Sequence, residues 1–317
     1  MKFFRRFVIA LAVVLLILNG LPFLLPVPSG TVDPQTLASP IGQFIRVDGV
    51  SIYVEQAGPD DGTPLILLHG LFGSTFTWRN QLTGLGEAGY RVIAYDRPPF
   101  GLSAKDFVLN YSSAAQADQL ASLLDELGIV RATFVGHSAG GSLLAHFAVR
   151  HAERIEQMVF AAGAFLGGGG GGPPAGVGEA INWPPLTRWG EILIPAVLTR
   201  DRLAGIVAGF YADPDQMTPE VAAGYYRAFE VPGFGAGFMG LIRDTGSPVT
   251  EADVRKFTMP VLLLWGESDR VVPLRQAERL QALLPEAVLQ VIPGTGHQPM
   301  EENPAEFNRM LIEWLEG

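Results

Sequence analysis

The chain has 317 residues, of which 48% are hydrophobic and 17% charged, with a formal net charge of −10 and no cysteine. That length suits one enzyme core carrying an insertion, and the acidic balance, with no Lys/Arg cluster beyond the amino terminus, leaves no footprint for nucleic acid. Without cysteine there are no disulfides, no thiolate metal sites and no lipoprotein anchor, and no histidine pair has metal-ligand spacing, so neither a metal nor a cofactor is expected.

Met1-Lys2-Phe3-Phe4-Arg5-Arg6 is basic, and Phe7 to Leu18 is uninterrupted apolar sequence before Asn19-Gly20. Apolar character resumes from Leu21 to Val27, interrupted by Pro22 and Pro26. The whole is close to the ~18 residues that a spanning helix needs. Residues 1–28 are therefore read as a membrane anchor or signal segment. Val27-Pro28-Ser29 offers small residues to a signal peptidase but no Ala-x-Ala. The expectation is an uncleaved anchor, its basic flank cytoplasmic and the catalytic body outside the cytoplasm. Cleavage, giving a secreted or periplasmic protein, is the alternative. Residues 29–40, with Pro, Ser and Thr, read as a linker.

Two alternating runs, Phe44 to Val47 and Val50 to Glu55, flank Asp48-Gly49, a hairpin signal. Strands and helices then alternate: Leu65 to His69, Arg91 to Asp96, a helix around Ala114 to Leu127, Ala132 to His137, and another helix. This predicts an α/β fold with a mostly parallel central sheet and helices on both faces, which binds ligands at the strand carboxyl ends. Residues 41–162 and 249–317 form the core.

Gly136-His137-Ser138-Ala139-Gly140 follows the run Ala132-Thr133-Phe134-Val135 directly and precedes a helix of small and apolar residues. A strand that turns at once into a helix forces its central residue into a strained backbone, and flanking glycines remove the Cβ atoms that would clash. Ser138 is thereby presented as a nucleophile.

Between residues 163 and 248 the alternation breaks, and this segment reads as an inserted helical cap. It opens with Gly167 to Gly172 and Pro173-Pro174, a flexible connection that serves either as a hinge or as a plain loop. Its large side chains are Trp183, Trp189, Phe210, Tyr211, Tyr225, Tyr226, Phe229, Phe234, Phe238 and Met239. Most of them must pack the cap, and any that face Ser138 would make an apolar pocket.

A serine hydroxyl needs a base. Of the five histidines, His137 adjoins the serine, His146 and His151 lie along and at the end of the following helix, and His69 shapes a loop after a strand. His297, in Gly294-Thr295-Gly296-His297 after the strand-like Ala287 to Ile292, remains as the base. The imidazole in turn needs a carboxylate. Asp269, past the strand Val261 to Trp265, suits it best, with Glu267 the nearest competitor. The order Ser, acid, His agrees with the order that accompanies this kind of elbow.

These motifs, from about Gln43 onward, resemble the α/β-hydrolase family, in its serine-nucleophile branch with a cap. Asp96-Arg97-Pro98-Pro99-Phe100-Gly101-Leu102-Ser103 resembles a turn of that family, except that Pro99 stands where glycine is usual, so the local backbone must differ. The resemblance implies that the Leu71 and Ala139 amides form the oxyanion hole, with Phe72 a substitute for Leu71. Epoxide hydrolases and haloalkane dehalogenases share the fold but use a carboxylate nucleophile, against which Ser138 argues.

The expected activity is acyl transfer on a small or medium apolar carboxylic ester. A carbon–carbon bond hydrolase of ring-fission products is the alternative, followed by perhydrolase or haloperoxidase-like activity. The non-enzymatic alternative is a membrane-tethered binding protein that keeps the fold.

Overall fold

The first hairpin turns on Asp48 and Gly49, whose φ angles of 48° and 82° are the paired positive values that a two-residue loop between twisted strands requires. It joins β1 (Gly42–Val47) to β2 (Val50–Ala57) with Val47 opposite Val50. The computed structural model describes residues 1–163, 176–244 and 246–317; the Gly167 to Gly172 run lies outside the described residues.

The remaining strands are β3 (Pro64–Leu68), β4 (Arg91–Tyr95), β5 (Ala132–His137), β6 (Ile155–Ala161), β7 (Val261–Gly266) and β8 (Val288–Ile292). They form one eight-stranded sheet in the order β1-β2-β4-β3-β5-β6-β7-β8. Only the β1–β2 and β2–β4 pairs are antiparallel. Every residue of β5 and β7 is buried, which is why neither strand alternates apolar and polar residues, and β7 reads as a continuous apolar run.

Helices cover both faces. Phe134, Phe160, Leu263 and Trp265 point to one face, where they meet Leu120, Leu144 and Leu280 of the helices Ser113–Glu126, Ala139–Arg150 and Arg275–Leu283. Leu67, Val135 and Leu262 point to the other, against Leu82 and Phe307 of the helices Arg79–Glu87 and Pro304–Glu316.

Between β6 and β7 the described chain forms a helical layer that includes Pro184–Val197, Arg200–Ala208, Pro219–Glu230 and Phe234–Arg243. Leu203, Val207, Tyr225, Phe229 and Phe234 are its core, and Phe72, Phe76 and Phe100, from the loops after β3 and β4, join it. The layer thus sits over the carboxyl end of the sheet.

Lys2–Gly20 is one helix with no buried residue, continued by a 3-10 turn over Leu21–Phe23. By length and composition Lys2–Phe23 can cross a membrane, the one such helix among the described residues. Residues 29–40 are not a free linker. The Val32 amide donates to the Glu230 carbonyl at 3.0 Å, Gly233 donates to Ser29 Oγ at 3.2 Å, and Ser39 donates to the Tyr53 hydroxyl at 2.8 Å. Partners far along the chain hold this backbone, and the local composition carries no sign of them.

The turn after β4 does depart from the usual pattern at Pro99. The Pro98–Pro99 peptide is cis, and Gly101 carries the positive φ, 56°. A Cβ at Gly101 would lie 1.8 Å from Asp96 Oδ2, so glycine is required there. Asp96 holds the turn by accepting the Thr75 and Leu102 amides, each at 2.6 Å.

Candidate active site

Ser138 follows β5 directly with φ 49° and ψ −120°, a conformation that L residues rarely adopt. The flanking glycines are there for steric reasons. A Cβ on Gly140 would stand 2.1 Å from the Leu68 carbonyl oxygen, and one on Gly136 would stand 2.8 Å from the Gly140 carbonyl oxygen. The sharp turn lifts the hydroxyl clear of the sheet edge and opens the helix Ala139–Arg150 beneath it.

The loops after β7 and β8 bring Asp269 and His297 to the same edge. His297 Nε2 lies 2.9 Å from Ser138 Oγ, and His297 Nδ1 lies 2.8 Å from Asp269 Oδ2. The second carboxylate oxygen of Asp269 accepts the Val271 and Val272 amides, both at 2.8 Å. Those donors fix the carboxylate, which in turn fixes the ring with Nε2 toward the hydroxyl. Both side chains are buried, so little water competes with these bonds. Glu267 is exposed and accepts the Gly294 amide at 3.0 Å, away from the ring.

The other histidines are occupied. His69 Nδ1 donates to the Gly70 carbonyl at 2.8 Å, while Nε2 accepts the Arg97 amide at 2.9 Å. Burial, with Arg97 nearby, holds its pKa well below the ordinary histidine range. His146 bonds the Ser142 and Ser247 carbonyls, and His151 bonds Asp118. His137, beside the serine, donates from Nε2 to the His297 carbonyl at 2.8 Å. Burial first, then His297, keeps the His137 ring neutral, its pKa well below normal.

The loop after β3 runs against the serine. A Cβ on Gly70 would meet Ser138 Cβ at 3.0 Å, and Phe72 holds a positive φ of 60°. Among the described residues the amides of Leu71, Phe72 and Ala139 have no acceptor. The Phe210 ring stands edge-on to His297 at 5.8 Å, and Phe72, in the loop after β3, stacks on Phe238 at 5.7 Å. Tyr211, Tyr225, Phe229, Phe234 and Met239 are buried within the helical layer.

Sequence reasoning missed the groups that hold the His297 loop. Glu302 accepts the Ala212 amide at 2.8 Å, the Gly296 amide at 2.8 Å and the Gln298 amide at 3.0 Å. Glu301, fully buried, pairs with Arg79 at 2.6 Å and accepts the hydroxyls of Tyr211, at 3.0 Å, and Tyr225. Burial raises the Glu301 pKa, opposed by Arg79 and the tyrosines. Among the described residues no group of three His, Cys, Asp or Glu is placed to hold a metal ion.

A base in contact with an alcohol, oriented by a fixed carboxylate beside free amides, can make that alcohol attack a carbonyl. The chain belongs to the alpha/beta hydrolase family, whose model matches residues 65–310. It is similar to a 2-hydroxy-6-oxononadienedioate/2-hydroxy-6-oxononatrienedioate hydrolase of Burkholderia vietnamiensis, with 31% identity over 87% of this chain and 96% of that one. A solved meta-cleavage product hydrolase of Pseudomonas fluorescens shares 28% identity at a TM-score of 0.70, covering 87% of this chain and 98% of that one. A membrane phospholipase A shares 25% identity at a TM-score of 0.68, covering 100% of this chain and 98% of that one.

Proposed function

We propose that this protein is a membrane-anchored serine hydrolase that cleaves apolar carboxylic esters by acyl transfer. His297 Nε2 takes the Ser138 proton as Oγ bonds to the carbonyl carbon. The Leu71 and Ala139 amides hold the oxyanion, an interaction that strengthens only as charge develops on the oxygen. The imidazolium, stabilised by Asp269, returns its proton to the departing alkoxide, and water then releases the acyl group by the reverse sequence. The helices of residues 163–248 act as the cap, and Phe72, Phe210 and Phe238 give the acyl group an apolar wall.

The observation that carries this reading is the continuous hydrogen-bonded chain from Ser138 through His297 to Asp269, at 2.9 and 2.8 Å. The aromatic wall supports an uncharged acyl group. So does the pairing of the nearby cations: Arg79 is matched by Glu301, and Arg97 by backbone carbonyls. The likeness to a membrane phospholipase A, extending over the N-terminal helix, supports both an ester substrate and an anchor that stays in place. Its basic end then faces the cytoplasm and the hydrolase lies outside it.

The second reading is hydrolysis of a carbon–carbon bond in a vinylogous diketone, favoured by the 31% identity to a hydrolase named for such a dienoate. Turnover of p-nitrophenyl esters set against a 2-hydroxy-6-oxo-dienoate separates the two. Rapid ester cleavage and labelling by a fluorophosphonate are expected. Dienoate cleavage with no turnover of short esters would reverse the assignment.

A further inference from the structure

The Pro184–Val197 helix buries Pro185 and Ile192 against the rest of the layer, yet its outward side is apolar as well. Arg188 and Glu191 are partly buried and pair with each other at 3.0 Å. Trp183, Leu193 and Val197 stand 52%, 51% and 49% exposed, and Leu186 is exposed as well. Trp183, Leu186, Leu193 and Val197 recur at helical spacing, so they share one outward stripe, beside Gly190, which lies against Met239 of the helix Phe234–Arg243. A water-facing helix would place its charges there.

The same helix is tied to the end of the N-terminal apolar helix. Trp189 Nε1 donates to the Leu18 carbonyl at 2.8 Å, and Arg188 donates to the carbonyls of Pro22, at 3.2 Å, and Leu25, at 3.3 Å. Leu18 belongs to the segment Lys2–Phe23, which is long enough to span a bilayer. At ~1.5 Å of rise per residue, Leu18 lies only about 8 Å inside the end of that segment. The Trp189 ring therefore sits at the depth where tryptophan collects in membranes, and its helix sits there with it. Arg200 and Arg202 follow the stripe, both exposed, as basic groups flank an apolar face that lies in an interface.

We propose that the outward stripe of the Pro184–Val197 helix rests in the headgroup layer of the membrane that the N-terminal helix enters. The proposal rests on the reading of that helix as a retained anchor. It places the helical layer above Ser138 in contact with lipid, so that apolar esters dissolved in the bilayer reach the site without crossing water.

The lack of native cysteine allows a direct test. Full-length Leu193→Cys and Val130→Cys variants, each labelled with a nitrobenzoxadiazole fluorophore, are reconstituted into phosphatidylcholine vesicles. Val130 is 76% exposed at the amino-terminal end of β5, far from the stripe, and serves as the reference. Lipids bearing a nitroxide near the headgroup end of the acyl chain should quench the label at Leu193 by about two-fold, the response of a face seated at the headgroup boundary, and leave Val130 unaffected. Equal, weak quenching at both sites, in protein that stays in the vesicle pellet after an alkaline carbonate wash, would overturn the stripe's contact and spare the anchor. A blue-shifted Leu193 label that nitroxide lipid does not quench would overturn it in favour of contact with a second copy. Release of the protein by carbonate would overturn the anchor reading and this one together.

Discussion

The main-chain amide of His297 donates to the carbonyl of Phe210 at 2.7 Å, so the imidazole facing Ser138 hangs partly from the helical layer above it. Glu302 strengthens the same link, since its carboxylate gathers the Ala212, Gly296 and Gln298 amides. Glu302→Ala leaves those amides unpaired and frees the loop. A displacement of about 1 Å at the base is enough for a loss of up to 10²-fold. We expect kcat to fall about 10- to 100-fold with KM little changed, and fluorophosphonate labelling of Ser138 to slow in step. Glu302→Gln keeps one acceptor oxygen and should recover part of the loss. Unchanged kcat in both variants would mean that the layer does not hold the ring.

Ser138→Ala removes the proposed nucleophile without touching the turn, whose geometry depends on Gly136 and Gly140. Labelling should vanish and ester turnover should drop by about 10⁴-fold or more, with an unchanged thermal midpoint. Asp269→Asn keeps the shape of the carboxylate but offers an amide that can hold the wrong tautomer of His297, with an expected loss of about 10⁴-fold in kcat.

Ser138 and Asp269 could be singled out from sequence because each follows a buried strand, β5 or β7, and His297 because it follows the late strand-like run that forms β8 at the sheet's edge. The hairpin at Asp48-Gly49 and the alternation of strands and helices were readable for the same local reason. His137, Glu301 and Glu302 were not, because their partners are the His297 carbonyl, Arg79, Tyr211 and Ala212. Those pairings exist only once the helical layer closes over the sheet. The docking of residues 29–40 escaped notice likewise, since Glu230 and Tyr53 supply the bonds. Pro99 showed that the turn differs, but only the fold shows that Gly101 takes over the positive φ.

Two glycine substitutions should move stability in opposite directions. Gly140→Ala drives a methyl to 2.1 Å from the Leu68 carbonyl oxygen, an atom fixed in the sheet. Overpacking against backbone should cost about 3 kcal/mol or more, read as a lower urea midpoint with an unchanged slope. Gly205 lies inside the helix Arg200–Ala208 with nothing within 4 Å of its added Cβ. Gly205→Ala should stabilise by about 0.5–1 kcal/mol through helix propensity and a less flexible unfolded chain. An equal tolerance of alanine at both sites would contradict the close approach of the serine turn to β3.

Asp96 is buried beneath the turn that contains Gly101, with Glu55 and Lys105 as its charged neighbours. Burial pushes its pKa up to about 7, against the pull of the Leu102 and Thr75 amides and of Lys105. Between the ordinary carboxylate range and that value, the folded protein keeps a proton that the unfolded chain has released, so stability should decline as pH rises from about 4 to about 7. Burial brings Lys105 down to about 7, with Asp96 opposing. Above that pH the unfolded chain holds the extra proton, and stability should climb again toward pH ~10. Asp96→Asn abolishes the first limb. It also sets an NH₂ group against one of the two amides now bonded at 2.6 Å, for a uniform loss of about 1–3 kcal/mol. Urea midpoints measured from pH 4 to 7 should therefore slope downward for the native protein and run flatter and lower for the variant. Parallel slopes in the two proteins would show that the Asp96 carboxyl is already ionised at pH 4, with its amide donors prevailing over burial.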